Sequence, residues 1–248
     1  MINAGSPAII LKTADGGISW QETYRNNSPD IFLDGIDFSN TKSGIAFGDP
    51  INNKLQILRT LDGGLSWQDI SSNLEVQMHE GEASFAASGT TINVLKDKVW
   101  IATGGSLSRI FYSPDLGNTW SFSSCPILQG KNSTGVFSLA LFNMRLGAVV
   151  GGDYMADTMR TKNSLYTSNG GKTWKYPKVA PFGYRSAVCY LSRKKLVATG
   201  PTGTDLSEDG GKTWKNISTK GFNSASISEC GKLILLSGSK GDIYSIGL

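Results

Sequence analysis

The sequence is poor in the residues that most often build catalytic and metal sites. It contains one histidine, His79, and three cysteines, Cys125, Cys189 and Cys230. A catalytic triad or a histidine-rich metal site would have to be built on His79 alone. The cysteines are odd in number and lack a Cys-x-x-Cys spacing, so they predict neither a disulfide framework nor a zinc site. We expect buried free thiols and no bound metal.

Long apolar runs, charge clusters and cofactor motifs are also absent. No run approaches the roughly 18 apolar residues of a membrane span, and no signal peptide is visible in the given chain. The net charge of +4 comes from scattered basic residues, whereas nucleic-acid binding requires a basic stripe or patch. The glycine pairs at 104–105 and 151–152 lack the following helix of a phosphate or dinucleotide loop. The sequence therefore predicts no transmembrane segment, no nucleic-acid partner and no cofactor.

One eight-residue pattern occurs five times in the chain. A hydroxyl residue is followed two positions later by Asp or Asn, then by glycine, and the pattern closes with Ser/Thr-Trp. The copies lie at residues 13–20, 60–67, 113–120, 167–174 and 207–214. Glycine allows the positive φ of a tight hairpin turn, and a short carboxylate or amide accepts hydrogen bonds from its own turn. The pattern is identified as the Asp-box, or bacterial neuraminidase repeat, with structural rather than catalytic carboxylates.

The spacing of the repeats predicts the fold. Successive copies are about 40 to 54 residues apart, which is the period of a four-stranded propeller blade. Short β-rich runs among 30 glycines are typical of hairpins. We predict an all-β fold, with residues 1–248 forming one β-propeller domain of four-stranded antiparallel blades. Its predicted parts are a partial blade at 1–30, blades at 31–71, 82–124, 135–177 and 184–218, and a partial blade at 222–248. Three of the strands predicted in these blades span residues 82–90, 173–177 and 232–238.

The two partial blades leave two arrangements open. Either the N-terminal strands complete the C-terminal blade and close a five-bladed ring, or the chain lacks an N-terminal portion of a six- or seven-bladed ring. A propeller closes its ring to hide its terminal strand edges. We favour the second arrangement, because both partial blades contain a third strand and so overlap instead of complementing each other.

Several further stretches resemble one family. They are Phe-Gly-Asp-Pro at 47–50, Gly-Glu-Ala-Ser-Phe-Ala-Ala-Ser-Gly-Thr at 81–90, Val-Gly-Gly-Asp-Tyr at 150–154 and Gly-Tyr-Arg-Ser-Ala-Val at 183–188. They are similar to stretches in bacterial relatives of the photosystem II stability/assembly factor, and the Asp-boxes resemble those of sialidases more distantly. The resemblance implies a seven-bladed propeller that is often exported to the periplasm or out of the cell. It also implies an assembly scaffold for the photosynthetic members, while many other relatives are described as glycosyl hydrolases or oxidoreductases. The chain lacks the Arg-Ile-Pro stretch of sialidases.

A candidate site is predicted at the blade ends opposite the Asp-boxes. Asp-boxes join the third and fourth strands, so the loops between second and third strands and the connections between blades lie at the other end. These segments carry Asp49, Asp153, Tyr154, Asp157, Arg160, Glu75, His79 and Glu80. Alignment of the first strands places five residues at equivalent positions around the mouth of the central channel: Asp34, Glu82, Phe137, Arg185 and Asn223.

Polar groups that converge on a concave surface are typical of a ligand-binding site. The candidate ligand-binding residues are Asp34, Asp49, Glu82, Arg109, Asp153, Tyr154, Tyr184 and Arg185. For catalysis, Glu82 with Asp49 or Asp153 would supply acid and base, and Tyr184 would act beside Glu82. The two arginines would hold an anionic group.

Two functions follow from these residues, and a third interpretation gives them none. The favoured function is a binding or assembly module for a protein partner, a small ligand or a carbohydrate ligand. The alternative is a carbohydrate-active, sialidase-like hydrolase that uses the same face. In the third interpretation the charges neutralise one another around a water-filled channel, and we favour either this or binding over catalysis.

Overall fold

The structure, a computed structural model, describes residues 1–3, 5–228 and 233–247. In that part the chain forms β-strands, three short 3-10 helices and no α-helix. The strands are, in chain order, β1 (Ala8–Lys12), β2 (Gln21–Asn26), β3 (Leu33–Phe38), β4 (Gly44–Ile51), β5 (Lys54–Thr60), β6 (Gln68–Asp69), β7 (Glu82–Ala83), β8 (Ile92–Leu95), β9 (Lys98–Ala102), β10 (Gly104–Gly105), β11 (Arg109–Ser113), β12 (Ser121–Ser124), β13 (Thr134–Leu141), β14 (Gly147–Asp153), β15 (Ser164–Thr167), β16 (Ala187–Tyr190), β17 (Leu196–Gly200), β18 (Gly203–Ser207), β19 (Lys215–Ser218), β20 (Ser224–Ile227), β21 (Leu233–Ser237) and β22 (Ile243–Gly247). The 3-10 helices span Ser71–Asn73, Ala86–Ser88 and Tyr154–Ala156.

The described strands form six antiparallel sheets that follow one another along the chain. The first sheet contains β1 and β2, the second β3 to β6, and the third β8, β9, β11 and β12. The fourth has the order β15-β14-β13-β10-β7, so the short strands β7 and β10 link the third and fourth sheets. The fifth contains β16 to β19 and the sixth β20 to β22. Within the described residues, β1 and β2 pair with each other and not with the sixth sheet.

Each sheet packs its face against the next one through an apolar cluster. Ile10 lies between the first and second sheets, Phe47 between the second and third, and Trp100 between the third and fourth. Trp214 belongs to the cluster between the fourth and fifth sheets, and Phe222 to the one between the fifth and sixth. Burial of these faces removes apolar area from water at every interface. This sequential face-to-face stacking of antiparallel sheets is the architecture of a β-propeller.

The repeated turns are held by bonds between residues that are close in sequence. In the second repeat the Thr60 hydroxyl donates to Asp62 Oδ1 at 2.8 Å and accepts from the N–H of Gly64 at 2.8 Å. The N–H of Ser66 donates to Asp62 Oδ1 at 3.0 Å, and its hydroxyl donates to Oδ2 at 2.6 Å. These hydrogen bonds, of which the one from the Ser66 hydroxyl has the largest effect, hold the pKa of Asp62 well below its ordinary value. The carboxylate oxygens of Asp62 therefore accept their hydrogen bonds from the turn itself.

Two of the predicted strands differ from the structure. The strand predicted over residues 82–90 exists only as the two-residue β7, because Ala86–Ser88 form a 3-10 helix that ends at Gly89 with a positive φ of 66°. The innermost strand of the third sheet is β8 instead. The strand predicted over 173–177 is reduced to an isolated bridge between Lys175 and Tyr166. The strand predicted to start at residue 232 begins outside the described residues, and its described part starts at Leu233.

Candidate functional site

The residues proposed as a site lie at the sheet ends away from the repeated turns. In the second sheet Leu33, next to Asp34, is opposite Gly48. At the other end of the same strands Gly44 is opposite Thr60, where a repeated turn starts. In the fourth sheet β14 ends with Asp153 opposite the first residue of β13, while the repeated turn begins where β15 ends. The register therefore brings the candidate residues to one end of the sheets.

Glu82 and Arg109 form a buried, multiply bonded ion pair. The Arg109 Nε donates to Glu82 Oε1 at 2.9 Å and its Nη2 to Oε2 at 2.5 Å. The Thr103 hydroxyl donates to Oε1 at 2.6 Å, and the His79 N–H donates to Oε2 at 3.1 Å. Glu82 is 3% exposed and Arg109 is 5% exposed. The prediction that Glu82 serves as a free acid or base and Arg109 as an anion ligand is corrected, because each already satisfies the other away from solvent.

Arg185 is also paired inside the protein. Its Nε donates to Asp205 Oδ2 at 2.7 Å, and its Nη1 donates to the Tyr184 carbonyl and the Thr202 hydroxyl, both at 2.9 Å. Arg185 and Asp205 both have an exposure of 0%. The guanidinium therefore does not reach a ligand in solution, and its predicted anion-binding role is corrected to a structural one. Sequence reasoning missed Asp205, although a charged residue inside the otherwise buried strand β18 was a usable signal.

Two carboxyl groups meet where β3 begins and β4 ends. Asp34 is 1% exposed, and no hydrogen-bond donor with good geometry reaches its oxygens among the described residues. Burial, and then the neighbouring Asp49 carboxyl, hold the pKa of Asp34 well above its ordinary value. Burial also raises the pKa of Asp49, although the Ser84 N–H donates to its Oδ1 at 3.0 Å. Of the two carboxyls, Asp34 is therefore the one whose pKa the surroundings raise more strongly.

The Asp34 carboxyl gives a pH-dependent prediction. Its pKa is raised in the folded state, so stability is unaffected below its ordinary pKa of 3.8 and falls as the pH rises above it. Asp34→Asn removes this loss. We expect the variant to melt higher than the wild type at pH 7, and the two melting curves to converge below about pH 4. Thermal melts between pH 3 and pH 8 measure the difference, and the exposed Asp97→Asn serves as the control. A variant that melts lower than the wild type at pH 7 would contradict the assignment.

Asp153 and Tyr154 mark the start of the loop between β14 and β15. Asp153 is 3% exposed; its Oδ1 accepts from the Met155 N–H at 2.9 Å, and its Oδ2 lies 3.9 Å from the Lys131 Nζ. It caps the 3-10 helix Tyr154–Ala156. Tyr154 is 47% exposed and therefore accessible to a partner. Of the two, only Tyr154 has the exposure that direct binding requires.

Aromatic rings pack against one another beside the residues that were predicted to form a charged channel mouth. Phe85 and Phe137 are stacked with centroids 3.7 Å apart, and Tyr184 meets Phe137 edge-on at 4.7 Å. Tyr154 contacts the same Phe137 ring at 6.0 Å. Burial raises the pKa of the Tyr184 phenol well above its ordinary value. Tyr184 is therefore a packing residue and not the predicted catalytic neighbour of Glu82.

An apolar patch on the loop after β14 was missed by sequence reasoning. It consists of Tyr154, Met155 and Met159 from the loop and Phe182 from the facing segment, which are 47%, 77%, 40% and 44% exposed. The Tyr184 N–H donates to the Asp157 carbonyl at 2.8 Å and so ties the two segments together. Two methionines in a polar loop were the available signal. Hereafter these four residues are called the loop patch.

One cation is stacked on the loop patch. The Arg160 guanidinium lies over the Phe182 ring with Cζ 3.8 Å from its centroid. Its Nη2 donates to the Ala180 carbonyl at 3.1 Å. Arg160 is exposed and has no carboxylate partner among the ion pairs of the described residues. The patch thus combines apolar contact area with a positive charge that stays in solvent.

The described residues contain no cluster of three or more His, Cys, Asp or Glu that is suited to a metal ion. Cys125 and Cys189 are buried free thiols, as predicted, and burial raises the pKa of Cys189 to about 11. Cys230 lies outside the described residues. No helix in the described part of the chain is long and apolar enough to cross a membrane.

Comparison with known proteins identifies the fold and no closer relationship. No protein family and no curated protein matches the sequence. Among solved structures, YCF48 bound to D1 peptide superposes with a TM-score of 0.57 at 15% identity, over 86% of this chain and 62% of that chain. The Pan2 WD40 domain of Neurospora crassa gives a TM-score of 0.65 at 13% identity, covering 99% and 71%. The GH74 enzyme of Niastella koreensis gives 0.54 at 13%, covering 98% and 45%.

These likenesses confirm the predicted fold class. The protein is an all-β propeller of antiparallel sheets, and its structural neighbours include YCF48, a WD40 domain and a GH74 enzyme. The chain spans less than two thirds of the length of the YCF48 chain that it matches. A fold shared by proteins of such different activity does not define function, so function is argued from the site.

Proposed function

We propose that this protein is a propeller-type binding module that holds a protein partner at the sheet ends opposite the repeated turns. The observation that carries the proposal is the loop patch, in which Tyr154, Met155, Met159 and Phe182 are all at least 40% exposed. Aromatic residues and methionine are enriched in the cores of protein interfaces. Several large apolar side chains exposed at one end of a domain are typical of an interaction surface.

The bonding of the charged candidates supports binding over hydrolysis. A glycosidase needs two carboxyl groups that both reach the sugar, roughly 5 to 9.5 Å apart. Glu82 is bonded to Arg109, and Asp34 is 1% exposed. Asp49 alone of the proposed acid–base group is partly exposed. The alternative of a sialidase-like hydrolase thus has no accessible carboxylate pair to carry it.

The structural neighbours and the repeats are consistent with a scaffold role. One neighbour, YCF48, was solved with a bound peptide, which supports a peptide or protein as the class of partner. We further propose that the repeated turns are Asp-boxes of the type found in the photosystem II assembly factor relatives. From that resemblance alone, we place the protein in the periplasm or outside the cell.

The loop patch gives a direct test of this proposal. The double variant Met155→Ser with Phe182→Ser removes apolar contact area without touching a buried residue. We expect the immobilised variant to retain at least about tenfold less partner protein than the immobilised wild type, because central apolar residues contribute most of the binding energy of an interface. Quantitative mass spectrometry of proteins retained from an extract of the source cells measures this loss.

The matched control is Leu65→Ser, which changes an exposed leucine (57%) in a repeated turn at the opposite end. It should retain the same proteins as the wild type. If the loop-patch variant retains them equally well, the proposed face is wrong. Release of reducing sugar from a glycan panel by the wild type would instead favour the hydrolase.

A further inference from the structure

A large groove lies at the opposite end of the molecule from the loop patch, between the third sheet and the repeated turn of the fourth sheet. Its volume is about 820 Å³, within the range of roughly 300 to 1,000 Å³ that is usual for ligand pockets. It is lined by residues of β9, β11 and β12 on one side, and by the turns after β13 and β15 on the other. We call it the rim groove.

The rim groove is rich in positive charge and has no acidic lining residue. Its four cations are Lys96, Lys98, Arg145 and Lys172. Residues 134–218, which form the fourth and fifth sheets, contain 12 Lys or Arg and 5 Asp or Glu, compared with a net charge of +4 for the whole chain. Two of those acids, Asp153 and Asp205, are buried. A cleft lined by charges of one sign concentrates ligands of the opposite sign.

One departure from the repeat pattern keeps this groove free of negative charge. In four of the repeated turns, the residue whose side chain accepts the hydrogen bonds of the turn is Asp. The turn that lines the rim groove has Asn169 at this position instead. Asn169 Oδ1 accepts from the Thr173 N–H at 3.0 Å and from the Thr167 hydroxyl at 2.9 Å. The amide oxygen therefore accepts the same bonds as a carboxylate oxygen in the other turns. The amide Nδ2 donates to the Thr173 hydroxyl at 2.8 Å, where a carboxylate would accept from it, so the turn is held in the same way without a charge.

The floor and the rim of the groove are apolar. Trp100 is buried at the floor and donates from its Nε1 to the Gly170 carbonyl at 2.9 Å. Tyr112 packs on Trp100 with ring centroids 5.2 Å apart. At the rim, Met144 is 37% exposed. A ligand that fits this lining has an apolar side chain as well as negative charge.

A free strand edge borders the groove. Among the strands of the described residues, β12 is the outermost one of the third sheet and pairs with β11 on one side only. Ser121, Phe122 and Ser123 of β12 line the groove. The unpaired N–H and C=O groups of an edge strand are the template on which an extended peptide adds as a further strand.

From the cations, the uncharged turn and the strand edge together, we propose that the rim groove binds an acidic peptide in extended conformation that carries aromatic or large aliphatic side chains. The carboxylates would face the four cations, and the apolar side chains would contact Tyr112 and Met144. This site lies at the other end of the sheets from the loop patch, shares no residue with it and does not depend on the function proposed there.

The test uses a fluorescein-labelled ten-residue peptide in which glutamate alternates with phenylalanine or leucine, with affinity measured by fluorescence anisotropy. We expect saturable binding, and at least about tenfold weaker binding when lysine replaces glutamate or serine replaces the apolar residues. Methylation of alternate backbone nitrogens should weaken binding to a similar degree, because it removes the strand-edge bonds. Failure of the parent peptide to bind overturns the proposal.

Variants of the protein locate the peptide. Asn169→Asp restores the charge found in the other repeated turns, keeps their bonding and is expected to weaken binding several-fold. Arg145→Glu with Lys172→Glu should weaken it by about tenfold. Asp209→Asn, the reverse change in the neighbouring turn, is the control.

Charge reversal outside the groove completes the controls. Lys42→Glu with Lys215→Glu changes two exposed cations that do not line the groove, and it should leave the affinity unchanged. If this pair weakens binding as much as the groove pair, the attraction is diffuse and the proposed site is wrong. Equal binding by a labelled single-stranded DNA decamer, with the same response to Asn169→Asp, would assign the groove to nucleic acid.

Discussion

Trp214→Ala is expected to lower the free energy of unfolding by about 3 to 5 kcal/mol, the range for removal of a large buried aromatic side chain. Trp214 is 3% exposed and belongs to the apolar cluster between the fourth and fifth sheets. Its loss leaves a cavity at an interface on which the stacking of the two sheets depends. Urea unfolding followed by circular dichroism measures the change.

Trp20→Ala is the matched control for this prediction. Trp20 holds the same position in the first repeated turn and donates from its Nε1 to the Gly17 carbonyl at 3.1 Å, but it is 46% exposed. We expect its removal to cost clearly less than removal of Trp214. Equal losses in the two variants would show that the turn itself, and not burial between sheets, determines the contribution of the tryptophan.

Arg185→Ala is expected to destabilise the fold by about 3 to 5 kcal/mol, because it leaves a buried carboxylate without its partner. The Asp205 carboxylate has 0% exposure and accepts from the Arg185 Nε at 2.7 Å. Melting temperature and urea midpoint both measure the loss, and about 2 to 4 °C is expected for each kcal/mol.

The control for this prediction is Arg25→Ala. Arg25 pairs with Glu22 on the surface, where both side chains are about 40% exposed, and such pairs contribute only about 0 to 1 kcal/mol. If Arg185→Ala keeps the stability of the wild type, the guanidinium is free to serve a ligand after all. The original expectation of an anion-binding arginine would then be restored.

The repeated turns were predictable because their hydrogen bonds join residues two to four positions apart. The side-chain hydrogen bonds among Thr60, Asp62, Gly64 and Ser66 all lie within seven residues, and the same residue types recur with a blade-sized period. Sequence pattern alone therefore fixed the fold class. It also placed Asp34, Asp49 and Asp153 at one end of the sheets, since strand order decides which turns share an end.

The state of the channel residues was not predictable in the same way. Glu82 pairs with Arg109, which is 27 positions away, and Arg185 pairs with Asp205, which is 20 positions away. The neighbouring residues in the sequence do not indicate which charged side chains form these pairs. The short helix at Ala86–Ser88 replaced a predicted strand, because a short apolar run such as residues 85–87 does not distinguish a strand from a helical turn. The loop patch depends on side-chain exposure in an irregular loop, which only the folded chain reveals.

Site-specific photo-cross-linking tests the central claim most directly. A photoreactive phenylalanine analogue is placed at position 155 in the loop patch, or at position 65 in a repeated turn, and each protein is irradiated in the extract of the source cells. We predict a discrete covalent adduct with a partner protein from position 155 and none from position 65. An adduct only from position 65, or no adduct from either position, would contradict a protein-binding surface at the sheet ends opposite the repeated turns.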